Sequence, residues 1–135
     1  MMPKGRHFFF GLILSALVIF SGACQTTVGE SRGDERYELQ RSLMTPNYWE
    51  TIVTKDVEPV FKAVLAGIKD LGLRITTSRA DRLSGLVEGS FADGTEFKVK
   101  LSYKAVDTTL ILINAGLMGS KVRSVQLFKA IEKHF

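Results

Sequence analysis

From Thr95 to Lys104 the side chains alternate: Phe97, Val99, Leu101 and Tyr103 fall on one side, Glu96, Lys98, Lys100 and Lys104 on the other. A period of two sends successive side chains to opposite faces of a strand, so this segment requires a sheet buried on one face and wet on the other. Antiparallel sheets meet that requirement; parallel sheets are covered on both sides. The buried side needs a cover, and the chain supplies one upstream. Val57, Val60, Phe61, Val64, Leu65, Ile68 and Leu71 recur at helical spacing and form one apolar stripe. Asp56 reads as the N-cap, Glu58 and Pro59 suit the first turn, and Gly72 ends the helix as a left-handed residue on which Leu73 folds back.

The remaining segments read in the same way. Tyr48 to Thr54 is rich in β-branched and aromatic residues and predicts a first strand. Leu73 to Ser78 alternates Leu73, Ile75 and Thr77 on one side, and Asp81 to Gly85 makes a turn. Gly85 to Ala92 places Val87 and Phe91 on one face before the hairpin signal Asp93-Gly94. After a turn at Asp107, Thr108 to Ala115 is apolar on both faces for several residues. Gly119-Ser120 then opens a helix expected to bury Val122, Val125, Phe128 and Ile131. The order β-α-β-β-β-β-α implies an α+β two-layer sandwich, an antiparallel sheet with two helices on one face, over residues 47–135. About ninety residues can fold alone without a disulfide, and none is available, since Cys24 is the single cysteine.

That cysteine closes a different kind of segment. Lys4 and Arg6 precede thirteen uncharged residues, Phe8 to Phe20, and Ser21-Gly22-Ala23-Cys24 follows. A basic start, a short apolar run and small residues at a cleavage site make a signal peptide over residues 1–23. The run is shorter than the ~20 residues that cross a bilayer. Small residues before a cysteine resemble a lipobox, in which Cys24 is acylated and becomes the first mature residue. The usual aliphatic residue three places ahead is here Ser21. Ser21 and Ala23 also satisfy ordinary signal peptidase, which would leave Cys24 free. An unpaired thiol with no other purpose in an exported chain favours lipidation. Residues 24–46 are mostly polar and predict a flexible linker, with Tyr37, Leu39, Leu43 and Met44 adding a helical turn near its end. Gln25 after the cysteine, by resemblance to a bacterial sorting rule, favours the outer membrane. Loss of Lys4 and Arg6 leaves sixteen of eighteen basic residues against fourteen acids, a net +2 that gives no argument for nucleic acid.

The signal and cysteine, the helix opening Asp56-Val57 and closing Leu71-Gly72-Leu73, the Asp93-Gly94 hairpin, Thr108 to Ile113, and Gly116 and Gly119 together resemble a family of bacterial lipoproteins known only as a domain of unknown function. That family implies no catalytic residue. The layout is also similar, in architecture alone, to the helix-grip modules of a lipoprotein subunit of the outer-membrane β-barrel assembly machinery.

Catalysis needs an acid, a base or a metal held in a pocket. His7 falls in the signal and His134 next to the C-terminus, where it reads as a helix-end cation. No His/Cys cluster offers metal-ligand spacing, so no metal or cofactor is expected. Asp81, Asp93 and Asp107 lie at breaks in the sheet pattern and read as turn residues before they read as converging carboxylates. Gly116-Leu117-Met118-Gly119 reads as a strand-to-helix connection and lacks the lysine of a phosphate loop. The row Lys98, Lys100, Lys104 could present a face to an anionic partner or be an ordinary solvated strand. Leu110 and Leu112 would sit opposite Ile111 and Ile113, on the uncovered side of the sheet. The expected protein is a non-enzymatic lipoprotein anchored through Cys24 and facing the periplasm, a binding or assembly module for an envelope protein or anionic envelope polymer. The alternative is a small periplasmic enzyme or ligand carrier whose site is built from turn carboxylates.

Overall fold

A computed structural model describes residues 37–135. The expected signal peptide, Cys24, Gln25 and the first part of the expected linker lie outside these residues. The elements are β1 (Gln40–Arg41), β2 (Trp49–Val53), α1 (Val57–Asp70), β3 (Arg74–Ala80), β4 (Ser84–Ser90), β5 (Glu96–Ala105), β6 (Thr108–Ala115) and α2 (Lys121–Glu132). All strands pair antiparallel in one sheet of order β1-β2-β6-β5-β4-β3. Both helices cover the same face: α1 lies against β4 and β5, α2 against β6, and the two helices touch each other. The expected α+β sandwich is the observed one, with β1 added. Among the described residues no helix is long and apolar enough to cross a membrane.

The core follows the period-two pattern. Phe97, Val99 and Leu101 of β5 and Ile111 and Ile113 of β6 are buried with Val60, Val64 and Ile68 of α1, and Phe61 and Leu65 pack at its margin. The end of α1 matches its sequence. Gly72 has φ 67°; its N–H donates to the Lys69 carbonyl at 2.9 Å and that of Leu73 to Ile68 at 3.2 Å. This is the paired closure that a left-handed glycine permits. Asp56 occupies the N-cap position of α1, but its side chain makes no capping bond. It accepts instead from the N–H of Asp107 at 3.1 Å, tying the helix start to the β5–β6 turn.

Four expectations are corrected. The folded unit begins before residue 47. Tyr37 and Leu39 pack against the core, and Gln40 and Arg41 form a strand beside Glu50 and Trp49 where a helical turn was expected. Polar composition hid this, because an edge strand of two residues needs little apolar surface. In α2 the buried stripe is Ser124, Leu127, Phe128 and Ile131, whereas Val122 is 78% exposed. Repeated steps of three each lose 60° on a helix of 3.6 residues per turn, so Val122 and Ile131 stand on opposite sides. In β3 the register shifts between Ile75 and Thr77. That bulge leaves Ile75 beside Gly89 and Thr77 beside the outward Glu88, so the two do not share a face. Tyr103, expected inward, is 42% exposed because it lies where β5 outruns the core and its pairing slips.

Candidate functional site

The face of the sheet opposite the helices is built by the residues that alternate with the core. The register aligns Glu50, Leu112, Lys100, Leu86 and Arg79 in one row across five strands, and Asn114, Lys98, Glu88 and Thr77 in the next. Ile52 stands beside Leu110 in a third row. Leu86, Leu110 and Leu112 are half-buried and Ile52 is exposed, although β6 and β5 are the two central strands. A central strand that is apolar on both faces gains from a cover on each, and the helices supply only one.

The three lysines have separate surroundings. Lys98 Nζ lies 3.2 Å from Glu88 Oε1, and that hydrogen-bonded carboxylate raises the lysine pKa. Lys100 Nζ sits 5.0 Å from the centre of the Tyr48 ring, a cation–π contact. Lys104 is exposed and falls in the register shift between Tyr103 and Ala105. Glu50, Glu88 and Glu96 stand among them, so the face is mixed in sign with Lys100 at its middle. Two depressions mark it. One of about 510 Å³ is lined by Arg79, Leu86, Lys100, Ser102 and Leu112. Another of about 400 Å³ is lined by Tyr48, Glu88, Glu96, Lys98 and Asn114.

Asp81 and Asp93 are not brought together. Asp81 precedes β4 and Asp93 follows it, so a seven-residue strand holds them roughly 20 Å apart or more. Asp81 Oδ1 accepts from the N–H groups of Leu83 at 2.8 Å and Ser84 at 2.9 Å, and those donors lower its pKa. Asp107 adopts φ 52°, a turn conformation that Asp tolerates. Asp93 accepts from the N–H of Thr95 at 3.0 Å and from Arg123, whose Nη1 stands 3.1 Å from Oδ1 and whose Nη2 reaches Oδ2. This two-point pair links the β4–β5 hairpin to the first turn of α2. Sequence spacing gave no sign of it, since thirty positions separate the partners. His134 likewise bonds Asp70 at 2.5 Å, joining the C-terminal ends of the two helices. Among the described residues no three His, Cys, Asp or Glu side chains gather as a metal site.

The Asp93–Arg123 pair makes a prediction for acid. Arg123, and then the Thr95 amide, hold the Asp93 carboxyl far below its ordinary 3.8. A folded-state pKa below the unfolded one stabilises above the unfolded value and is withdrawn as pH falls toward the folded value. The hairpin–α2 contact is therefore expected to loosen below about pH 4. Arg123→Gln should raise the Asp93 pKa, read from its carboxyl carbon by NMR titration, and flatten the loss of stability below that pH. An unchanged Asp93 titration in the variant would show that the guanidinium does not set it.

At the end of the sheet where β2 starts and β6 stops, a groove of about 840 Å³ lies between Tyr48, the hairpin residues Gly94 and Thr95, and the β6–α2 loop at Leu117 and Met118. The Gly116-Leu117-Met118-Gly119 segment is the connection expected. Ser120 caps α2 by accepting from the N–H of Arg123 at 3.4 Å.

Residues 9–134 match a family model described as a protein of unknown function (DUF3568). No curated protein matches the chain.

Proposed function

Because the chain belongs to this family, whose description assigns no activity, we propose from the geometry that it is a non-catalytic binding or assembly module. In this reading it is anchored to a membrane through acylated Cys24 and works at the cell envelope, facing the periplasm from the outer membrane. The observation that carries the binding role is the sheet face that no described element covers, where Leu86 and Leu112 flank Lys100 and Leu110 and Ile52 stand in the next row. Apolar side chains around a cation suit a partner with an apolar body and negative groups, an envelope protein or an anionic envelope polymer. Two of the turn carboxylates are already engaged, Asp81 with its own turn and Asp93 with Thr95 and Arg123, which favours the binding module over a small enzyme or carrier built on them.

Two experiments test the parts separately. Cys24→Ala should abolish incorporation of labelled fatty acid and release the protein from membranes, since acyl chains hold by ~0.8 kcal/mol per buried methylene. Equal membrane association of both proteins with no label in either would sink the anchor. For the face, Lys98→Glu, Lys100→Glu and Lys104→Glu together should leave the fold intact, because all three side chains lie outside the core. The variant loses the Glu88 partner of Lys98, an exposed pair of small consequence. Co-purification from the native envelope should lose the partner captured by the wild type, and salt should weaken that capture. The same partners in both pull-downs at low salt would remove the lysines from the interface.

A further inference from the structure

Two loops at one end of the sheet carry adjacent pairs of large apolar residues directed into solvent. Leu43 and Met44, between β1 and β2, are 94% and 91% exposed; Leu117 and Met118, between β6 and α2, are 94% and 84% exposed. Scattered apolar residues on a surface need no explanation, but these four are paired and the loops that bear them are fastened together. Asn114 Nδ2 donates to the Asn47 carbonyl at 2.7 Å and Trp49 Nε1 to the Gly119 carbonyl at 2.9 Å. Gly119, at φ 69°, lies so close that a Cβ there would stand 2.3 Å from the Asn47 oxygen. The first loop is also closed on itself, with the N–H of Ser42 donating to Tyr48 and that of Tyr48 to Thr45, both at 2.9 Å. The two apolar tips are held by structure and not left by want of it.

The loops themselves carry no negative charge, and their immediate chain neighbours are basic. Neither residues 42–48 nor residues 116–120 contain an acid, and Arg41 and Lys121 flank them. Lys121 Nζ lies 5.4 Å from the centre of the Trp49 ring, and Trp49 is half-buried at the base of both loops. Of the acids at the same end, Asp93 is taken up by Arg123, and Glu96, which lines the groove with Leu117 and Met118, has Lys98 as a nearby cation. Protruding apolar tips, a cationic collar and an aromatic at their base match the sequence of environments met on entering a bilayer: hydrocarbon, interface, anionic headgroups. The four side chains offer less than the ~800 Å² per partner of a stable protein interface, and they stand on tips instead of forming a flat face, which disfavours a second copy of this chain.

We infer that the Leu43-Met44 and Leu117-Met118 loop tips insert into the surface of an anionic phospholipid bilayer, setting how the domain stands on the membrane. The choice of membrane rests on the proposed envelope location. Chain length permits it: the thirteen residues 24–36 span up to ~45 Å. Tyr37 bonds Thr54 just past the far end of β2, and eight-residue β6 runs only ~27 Å along the sheet.

Trp49, the single tryptophan, reports on this end alone. The full chain is bound to vesicles of phosphatidylethanolamine and phosphatidylglycerol whose acyl chains carry bromine, a short-range quencher of indole fluorescence. Trp49 should be quenched in the wild type, and quenching should fall to the level of unbrominated vesicles in L43S/M44S/L117S/M118S, while sedimentation with the vesicles through the rest of the chain persists. Each pair alone, L43S/M44S or L117S/M118S, should give an intermediate loss, with circular dichroism establishing that the fold is kept. A membrane-bound wild type without quenching, quenching that survives in the folded quadruple variant, or loss of self-association in that variant without change in quenching would each overturn the inference. A chain that stays in solution overturns it too, and labelled fatty acid at Cys24 separates that result from failure of the anchor.

Discussion

Phe97→Ala is expected to destabilise the folded domain by about 3–5 kcal/mol. A domain of this size has roughly 5–15 kcal/mol in all, so the loss is a large share of its stability. Phe97 is 2% exposed and lies edge-on to Phe91, with ring centres 5.5 Å apart. The strand beside it is shaped to receive the ring: a Cβ at Gly89 would stand 2.6 Å from Phe97 Cζ and 2.1 Å from the Arg74 carbonyl oxygen. The ring occupies space that no other side chain at position 89 could share, and its removal leaves a hole bounded on one side by backbone. Backbone moves less readily than side chains, so collapse is limited and the cavity contribution should be near its full size. Urea denaturation followed by circular dichroism measures it; an effect below about 1 kcal/mol would show that α1 and β4 close over the site. Leu65→Ala, at a half-buried position, should cost less than Phe97→Ala in the same measurement.

The contrast between those two residues also marks what the sequence discloses. β5 was legible because alternation encodes two faces at once, and α1 because its stripe is bounded by Asp56 and by a glycine whose φ the closing turn requires. Such signals are local. The bulge in β3 was not legible: Arg74 to Ala80 reads as a uniform strand, and only pairing with β4 shows where the extra residue is absorbed. The burial of Gly67, Gly85 and Gly89 was equally hidden, since a residue without a side chain has no hydropathy to read. At the candidate site, the outward placement of Leu110 and Leu112 followed from the apolar run in β6. The Glu88 partner of Lys98, the Tyr48 ring under Lys100 and the Arg123 hold on Asp93 depend on register and tertiary contact. Leu43, Met44, Leu117 and Met118 were the least legible, because apolar residues in a short segment suggest burial, and only the fold shows that the loops carrying them are locked together and point outward.

Gly67→Val is expected to be among the most damaging single substitutions on the helical side. Gly67 is buried in α1, where a glycine ordinarily costs a helix ~1 kcal/mol against alanine. The contact with α2 gives the reason for it. A Cβ at position 67 would stand 2.6 Å from the Ile131 nitrogen, 2.8 Å from the Ala130 carbonyl carbon and 2.8 Å from the Ile131 Cα. All three are main-chain atoms of a helix, so no rotamer change relieves the overlap and the helices must separate. Gly67→Ala should therefore lose more through this overlap than it gains in helix propensity, a net cost of ~1–3 kcal/mol. Gly67→Val, with two further methyl groups and a restricted χ1, should exceed it. The decisive comparison is a second substitution. If the obstruction were the Ile131 side chain, Ile131→Ala would rescue Gly67→Ala; because it is the backbone beneath, the double variant should be less stable than either single one. Thermal melts of the four proteins distinguish the two, and a rescued double variant would show that α2 yields at its side chains and not along its axis.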